Sequence, residues 1–496
     1  MISHFRILGA LFYALPVSFI FADDVADLAG TWVEHTLETP TALKETYYNY
    51  DTQTTRTSQN SQDYAQQNER LVDTYFSTSF EAVQASLNIS TEGVYSGSDF
   101  SGQILDFNRG RILTKDNDES LAEAVPVFVS LLNELLVTSD TEDDSQELTI
   151  LVREPATLSL AELDGDWTIG TAYIPATLIE SYASESGNRQ ADNSDYAQEG
   201  EELVDLHRPD EFESYWGEIT IDDGSFSGLF SGEVSTNGLK ALIMPDDPDA
   251  GSLTFSVNQS KDLMVCTDFD EGESIELIIL ARKPASLSLS DLEGTWRVAS
   301  LIVPVDLRES YYNADAETNR EGDINDYAGS TGQPELFVDL YYTSNFKTEQ
   351  GSIQIDSLGS VSGLLNGDFS LAGGNTLTFS DGEDPAPVFI NASKTFAYNF
   401  SLDSDELNIH VLTKTSSSAP QTFADQVDVR LVTVDGETVI TLNGGDNLKV
   451  VTSNNLDGSP SDWSEADAPS GTSLIALGSS GGNAEFYSVT QRVDVD

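Results

Sequence analysis

Tyrosine, arginine and carboxylate side chains recur together in three stretches of this sequence. Tyr47, Tyr48, Arg56, Asp63 and Tyr64 fall in the first, Tyr182, Arg189, Asp195 and Tyr196 in the second, and Tyr311, Tyr312, Arg320, Asp326 and Tyr327 in the third. Tyr and Arg combine large contact area with polar tips, the composition of recognition surfaces. This nominates Tyr47, Arg56, Asp63, Tyr64, Tyr182, Arg189, Asp195, Tyr196, Tyr311, Arg320, Asp326 and Tyr327 as ligand contacts. The competing reading is that each Tyr of the Asp-Tyr-Ala motif plugs its own module while the Asp caps a turn.

Other chemistries have weaker support. Besides His4, the histidines are His35, His207 and His410, which fall at different places in the pattern, so no His-based triad or zinc site repeats. Carboxylate pairs such as Glu45 with Asp73, or Glu180 with Asp205, suit acid/base work on a glycan. With Asp and Glu numbering 84, such pairs also arise by coincidence, so no catalytic residue is assigned and enzyme activity is not expected. Calcium is the one cofactor considered, through Asn313-Ala-Asp315-Ala-Glu317, Asp268-Phe-Asp270-Glu271 and Asp246-Asp247-Pro-Asp249. None completes a calcium loop with its central glycine and terminal Glu, which favours solvated turns over a metal site. Cys266 is the only cysteine and sits in an apolar run, which reads as a buried small hydrophobe and excludes an internal disulfide.

The elements that must position these residues come in three copies. Leu28-Ala-Gly30-Thr-Trp32 recurs as Leu163-Asp-Gly165-Asp-Trp167 and Leu292-Glu-Gly294-Thr-Trp296, followed at matching offsets by Pro40, Leu43, Glu45 and Tyr47, then Pro175, Leu178, Glu180 and Tyr182, then Pro304, Leu307, Glu309 and Tyr311. Later landmarks repeat too, among them Val72-Asp73, Val204-Asp205 and Val338-Asp339. A domain-length period of this kind means tandem modules. Period-two runs such as Gly217-Glu-Ile219-Thr-Ile221, separated by glycine turns, predict a meander of strands. Ser120 to Leu136 has a helical composition, but the repeat register aligns it with Leu253 to Val257 and Pro387 to Ile390, predicting a hairpin in all three copies.

The reading is therefore all-β: three tandem antiparallel modules of about eight strands, barrel-like or alternatively two-sheet sandwiches, plus a small C-terminal β-sandwich. The expected division is a signal peptide at 1–22, modules at 23–155, 156–284 and 285–414, a linker at 415–426 and a final domain at 427–496. Each module is expected to complete its own hydrophobic interior.

The Gly-x-Trp tag opening a barrel-sized module resembles the lipocalin-like (calycin) pattern. That resemblance implies a first-strand Trp packed under a basic side chain from the last strand, pairing Trp32 with Arg153, Trp167 with Arg282 and Trp296 with Lys414 in a structural role. It also implies that the long segment after the first strand lies over an open barrel mouth. The final domain resembles the sandwich-type modules that close many secreted bacterial proteins, with Ser488 where Arg is usual.

Arg6, the apolar stretch from Ile7 to Phe21 and Ala22 before two aspartates read as a cleaved signal peptide, so a secreted or periplasmic chain with no membrane insertion of the mature protein is expected. A formal charge of −61 excludes nucleic acid and anionic membrane surfaces as partners. Two functions remain: a multi-module binding protein for a small molecule, glycan or envelope component, or a structural or adhesive envelope spacer.

Overall fold

The computed structural model describes residues 25–417, except 50, 58–64, 66–68, 98–100, 109–110, 117–122, 143, 185–186, 193–196, 198–200, 248–250, 271–273, 314–317, 324–334, 373–375 and 383–384. Beyond these it describes six strands of the C-terminal region, arranged as two three-stranded antiparallel sheets. Residues 1–22, expected to form a signal peptide, lie outside the described part. Among the described residues no helix is long and apolar enough to cross a membrane.

Every module opens with a short 3-10 turn and an eleven-residue strand: Gly30–Pro40, Gly165–Pro175 and Gly294–Pro304. Ser159 and Ser288 cap two of the turns through Glu162 and Asp291, which places the carbonyls of Leu163 and Leu292 to accept the indole N–H of Trp167 and Trp296 at 2.9 and 2.7 Å. After an excursion, described below, seven further strands return as a meander and pair with the first. Modules 2 and 3 are thereby closed eight-stranded barrels, while module 1 runs in the same order as a nine-stranded sheet. The additional strand arises because the stretch matching Leu253–Val257 is split in module 1 into Glu123–Val125 and Phe128–Val129. Phe128–Val129 pairs with Leu135–Thr141, so the helix-like composition of this stretch yields to the hairpin.

Alternation along the first strand divides the apolar side chains in two. Trp167, Ile169, Ile219, Ile278 and Leu280 pack inside barrel 2, with equivalent clusters around Trp296 and around Trp32. The opposite faces of the same strands carry Ala172, Ile174, Leu277 and Ile279, and these join Leu37, Ile150, Leu301 and Val411 in one cluster drawing on all three modules. The expectation of three separate interiors is thus only half of the arrangement. Each barrel has its own core, and a fourth core is common to all.

The modules meet head to tail. Module 1 presents Gly30–Pro40 and Glu81–Ile89 to the strand Leu263–Asp270 of module 2, where Thr267 donates to the Val83 carbonyl at 2.9 Å. Module 2 presents its first strand to module 3, whose Tyr398 hydroxyl lies 3.4 and 3.2 Å from the carbonyls of Thr168 and Ile279. Module 3 turns the same face to module 1, with Ser139 donating to the Glu349 carbonyl at 3.3 Å and Arg297 over the Phe128 ring at 5.6 Å. A heterologous contact that closes after three copies makes a ring.

Hairpin turns lock one end of that ring. Glu134 of module 1 accepts from the Asn258 side chain and the Ser260 N–H at 2.9 and 2.8 Å, and Asp262 of module 2 accepts from Asn391 and the Ser393 N–H at 3.2 and 2.7 Å. Thr395 occupies the equivalent place in module 3, and there the closing bond is a backbone one, Leu131 N–H to the Lys414 carbonyl at 2.8 Å.

Candidate functional site

The segment after each first strand is not a loop over a barrel mouth. It folds as a three-stranded antiparallel sheet: Leu43–Asn49 between Thr54–Thr57 and Glu69–Phe76 in module 1, with equivalents built on Ile179–Ser184 and Leu307–Asn313. The apolar residues of these sheets, including Leu43, Leu178, Leu307, Leu71, Leu206 and Leu340, belong to the common core rather than to any barrel.

Tyr47, Tyr182 and Tyr311 are fully buried there. Tyr47 donates to Glu45 at 2.6 Å, and Tyr182 and Tyr311 donate to Glu180 and Glu309. Burial, reinforced by the neighbouring carboxylate, holds all three phenols protonated, well above their ordinary range. The guanidinium groups of Arg56, Arg189 and Arg320 stack on these rings at 4.5, 4.5 and 4.3 Å and pair with Glu69, Glu201 and Glu335 at 2.8, 2.8 and 3.0 Å.

The second oxygen of each glutamate reaches into another module. Glu180 Oε1 accepts from the Thr74 N–H, Glu309 Oε1 from the Leu206 N–H and Glu45 Oε1 from the Leu340 N–H, at 2.9, 3.1 and 2.9 Å. Carboxylates act across modules: Asp73 raises Glu180, and Asp205 and Asp339 sit within the fields of Tyr311 and Tyr47. Burial lifts Glu180 to about 7, with Asp73 adding to the rise and the hydrogen bonds from Tyr182 and Thr74 opposing it.

Asp63, Tyr64, Asp195, Tyr196, Asp326 and Tyr327 lie outside the described residues. Their motif neighbours Ala65 and Ala197 donate across modules to the carbonyls of Val338 and Val72 at 3.2 and 2.9 Å.

The opposite end of each barrel holds the Trp. Trp32 pairs in register with Arg153, Trp167 with Arg282 and Trp296 with Lys414, and the cations stand 5.8, 4.8 and 5.7 Å from the rings. The same cations close the 3-10 turns: Arg282 donates to the carbonyls of Asp164 and Glu162, Lys414 to that of Asp291. Indole and cation are spent on each other and on backbone oxygens.

What remains open to solvent is the half of each barrel away from the Trp. Residues directly opposite in a ladder share a face, and that face recurs at every second position. Counting inward from Trp32, Trp167 and Trp296 therefore gives two polar rows. The outer row reads Glu81, Glu38, Glu147 and Asp140 in module 1, Glu213, Tyr173, Glu276 and Asp268 in module 2, and Lys347, Ile302, Asn408 and Ser401 in module 3. The deeper row reads Val83, Thr36, Thr149 and Thr138, then Tyr215, Thr171, Ile278 and Cys266, then Glu349, Ser300, His410 and Asn399. Val83 and Tyr215 are exposed although they face inward, while Thr36, Thr149, Thr171, Ile278, Cys266, Ser300 and Asn399 of the same row are buried.

Electrostatics follow from the rows. Glu147 rises to about 7 through burial and then through Glu38, Glu142, Glu34 and Asp140, and Glu276 rises to about 7 through burial and then Asp268, Glu213 and Asp270. Cys266 lies below this row, its thiol pushed up to about 12 by burial. In module 3 His410 bonds Ser300 at 2.7 Å and is pushed down to about 4 by burial and then Lys347, so it is a neutral imidazole. No carboxylate bonds that imidazole among the described residues. Of the acidic runs considered for calcium, Asp315, Glu317, Glu271 and Asp249 lie outside the described part. Among the described residues no group of three or more His, Cys, Asp or Glu is placed to hold a metal ion.

These rows escaped sequence reading, which dwelt on Tyr and Arg. Their signal was parity: positions four and six beyond each tag Trp.

The eight-stranded antiparallel barrels, each with a first-strand Trp, are consistent with a lipocalin-like pattern. No protein-family model matches the chain, and no curated protein matches it. Among solved structures, intact Ap-TbpB with its N and C lobes is 8% identical over 78% of this chain and 77% of that one, with a TM-score of 0.16, which carries no argument.

Proposed function

We propose that this is an exported multi-module binding protein that takes small polar or charged molecules in the mouths of its barrels. One contrast carries the reading. The scaffold positions, Trp and its cation, Tyr with its Glu and Arg, are held through the three copies, while the row positions change chemistry from copy to copy: Glu38, Tyr173 and Ile302; Glu81, Glu213 and Lys347; Thr149, Ile278 and His410. Frames that repeat while their open ends diverge suit one architecture offering different sites.

The nominated Tyr-Arg pairs then serve as the hinge pins of the ring. A spacer or adhesive role is the rival, and it gains from the packed apolar half of every barrel. The two separate in a thermal-shift screen of small molecules and oligosaccharides against the intact chain and a Glu38→Gln, Tyr215→Ala variant. Ligands that stabilise the parent and not the variant support the mouths. Stabilisation equal in both, or by no compound, favours the spacer.

A further inference from the structure

We infer that the seam between modules 3 and 1 binds a small carboxylate anion on the guanidinium of Arg297. This site lies on the outer face of barrel 3, away from the mouths, and stands or falls separately from them.

Arg297 is an exception among the cations. Arg56, Arg70, Arg189, Arg308 and Arg320 pair with carboxylates, and Arg153, Arg208 and Arg282 donate to carbonyls. Arg297 does neither among the described residues. Its Nε is buried without an acceptor, and the group stands over the Phe128 ring of module 1 at 5.6 Å. Burial alone pushes it down to about 10, with no carboxylate opposing the shift, although the chain carries 84 Asp and Glu residues. It is therefore a cation at neutral pH whose desolvation nothing in the described chain offsets.

A second group without a partner lies beside it. Thr413 is directly opposite Arg297 in the ladder and so shares its face. It is fully buried, and its hydroxyl completes no hydrogen bond among the described residues. Buried donors are normally paired, so two adjacent ones on a single face point to a common acceptor. Ser352, opposite Arg297 on the other side, places a further hydroxyl residue in the same row.

The other junctions show what is different here. The position of Arg297, one beyond the tag Trp, is Val33 in module 1 and Thr168 in module 2, where the hydroxyl donates to the Ala281 carbonyl at 3.2 Å. Those two junctions also carry their own anions, Glu134 and Asp262, whereas module 3 has Thr395 in that place. The junction without a built-in carboxylate is the one that holds a cation without a counter-ion.

The class of anion follows from the geometry. Phe128 lies against the guanidinium, which leaves the edge, with its parallel N–H groups, for a planar acceptor of two oxygens. Phe128 and Phe396, the latter beside Thr413 in register, belong to the apolar common core. Such walls favour a carboxylate with a short aliphatic tail over a hydrated inorganic ion.

The probe is sodium butyrate, titrated into the intact chain by calorimetry, with sodium sulfate and sodium chloride of equal ionic strength for comparison. Saturable binding is expected, weakened about tenfold or more by Arg297→Gln and several-fold by Thr413→Val. The mouth variant Glu38→Gln, Tyr215→Ala should bind butyrate as the parent does. Absence of binding, equal affinity in Arg297→Gln, or loss in the mouth variant overturns the site, and sulfate or chloride bound as tightly as butyrate overturns the carboxylate. Should Arg297→Gln not fold, Arg297→Lys keeps the charge without the fork and should still weaken butyrate several-fold, unchanged affinity again refuting the site. In chloride alone, Arg297→Met should raise the urea midpoint, because it removes an unpaired charge. A lowered midpoint would mean that the cation is kept for its stack on Phe128 and not for an anion.

Discussion

Glu180 of the second module takes the Thr74 backbone N–H and hydroxyl of the first at 2.9 and 2.7 Å while holding the Tyr182 hydroxyl on its other oxygen. The carboxylate thereby serves as a rivet between modules. The same side-chain pair, two residues apart, does this at all three junctions, through Glu45 with Tyr47 and Glu309 with Tyr311.

Glu180→Ala should therefore cost about 2–4 kcal/mol, since it leaves buried donors on Thr74 and Tyr182 without an acceptor. Glu180→Gln keeps an oxygen for Thr74 and should cost less. Urea unfolding of the two variants against the parent checks the order. If Ala proves no worse than Gln, the junction does not depend on this acceptor.

Stability should have opposing limbs in pH. His35 is buried against Thr267, and burial, then Lys240, lowers it from 6.5 to about 3, with His410 similarly lowered to about 4. The unfolded chain binds those protons first, so this contribution is complete above about pH 6.5 and is lost as pH falls toward 3. Glu147, Glu180 and Glu276 shift the other way, from 4.5 to about 7, so their contribution is complete below pH 4.5 and is lost as pH rises through 7. His35→Gln should flatten the acid limb and Glu180→Gln the alkaline one, read as the unfolding midpoint at each pH.

Gly170 tests the interface between modules 2 and 3. A Cβ there would stand 2.5 Å from the Tyr398 ring, which is itself wedged against two carbonyls of module 2. Gly170→Ala should destabilise by about 1–3 kcal/mol, the usual cost of overpacking. Adding Tyr398→Leu, which frees the space, should make the alanine nearly harmless. An alanine penalty equal in both backgrounds would mean that the ring gives way.

The repeat made most of this architecture legible. Matching offsets after Trp32, Trp167 and Trp296 fixed the module count, and the alignment of Pro126-Val127-Phe128 with its counterparts corrected a helical composition to a hairpin. What stayed hidden was where one copy ends and its neighbour begins to contribute. Glu45 and Asp73 recur in each copy, as Glu180 with Asp205 and Glu309 with Asp339, which reads as a pair inside one module, but Glu45 bonds the backbone beside Asp339. Spacing along the chain cannot separate a bond within a module from the same bond passed to the next one around a ring. The Tyr-Arg stretches left two readings open for a related reason. Stacked rings and guanidinium groups serve recognition at a surface and cohesion in a core equally well, and spacing along the chain does not show that Tyr47, Tyr182 and Tyr311 join the common cluster.

The swap between Arg282 and Lys414 offers a last test, because it exchanges solutions that two copies have reached for one position. Arg282 stands 4.8 Å from Trp167 and reaches the carbonyls of both Asp164 and Glu162, whereas Lys414 stands 5.7 Å from Trp296 and reaches only that of Asp291. A planar guanidinium stacks on indole and forks between two acceptors, which a compact ammonium cannot do. Lys414→Arg should therefore stabilise the chain by about 0.5–1 kcal/mol, and Arg282→Lys should destabilise it by a similar amount. Both are read as shifts in the chemical-denaturation midpoint. If the two changes move it in the same direction, the cation at this end is tuned to its own barrel rather than to the shared Trp.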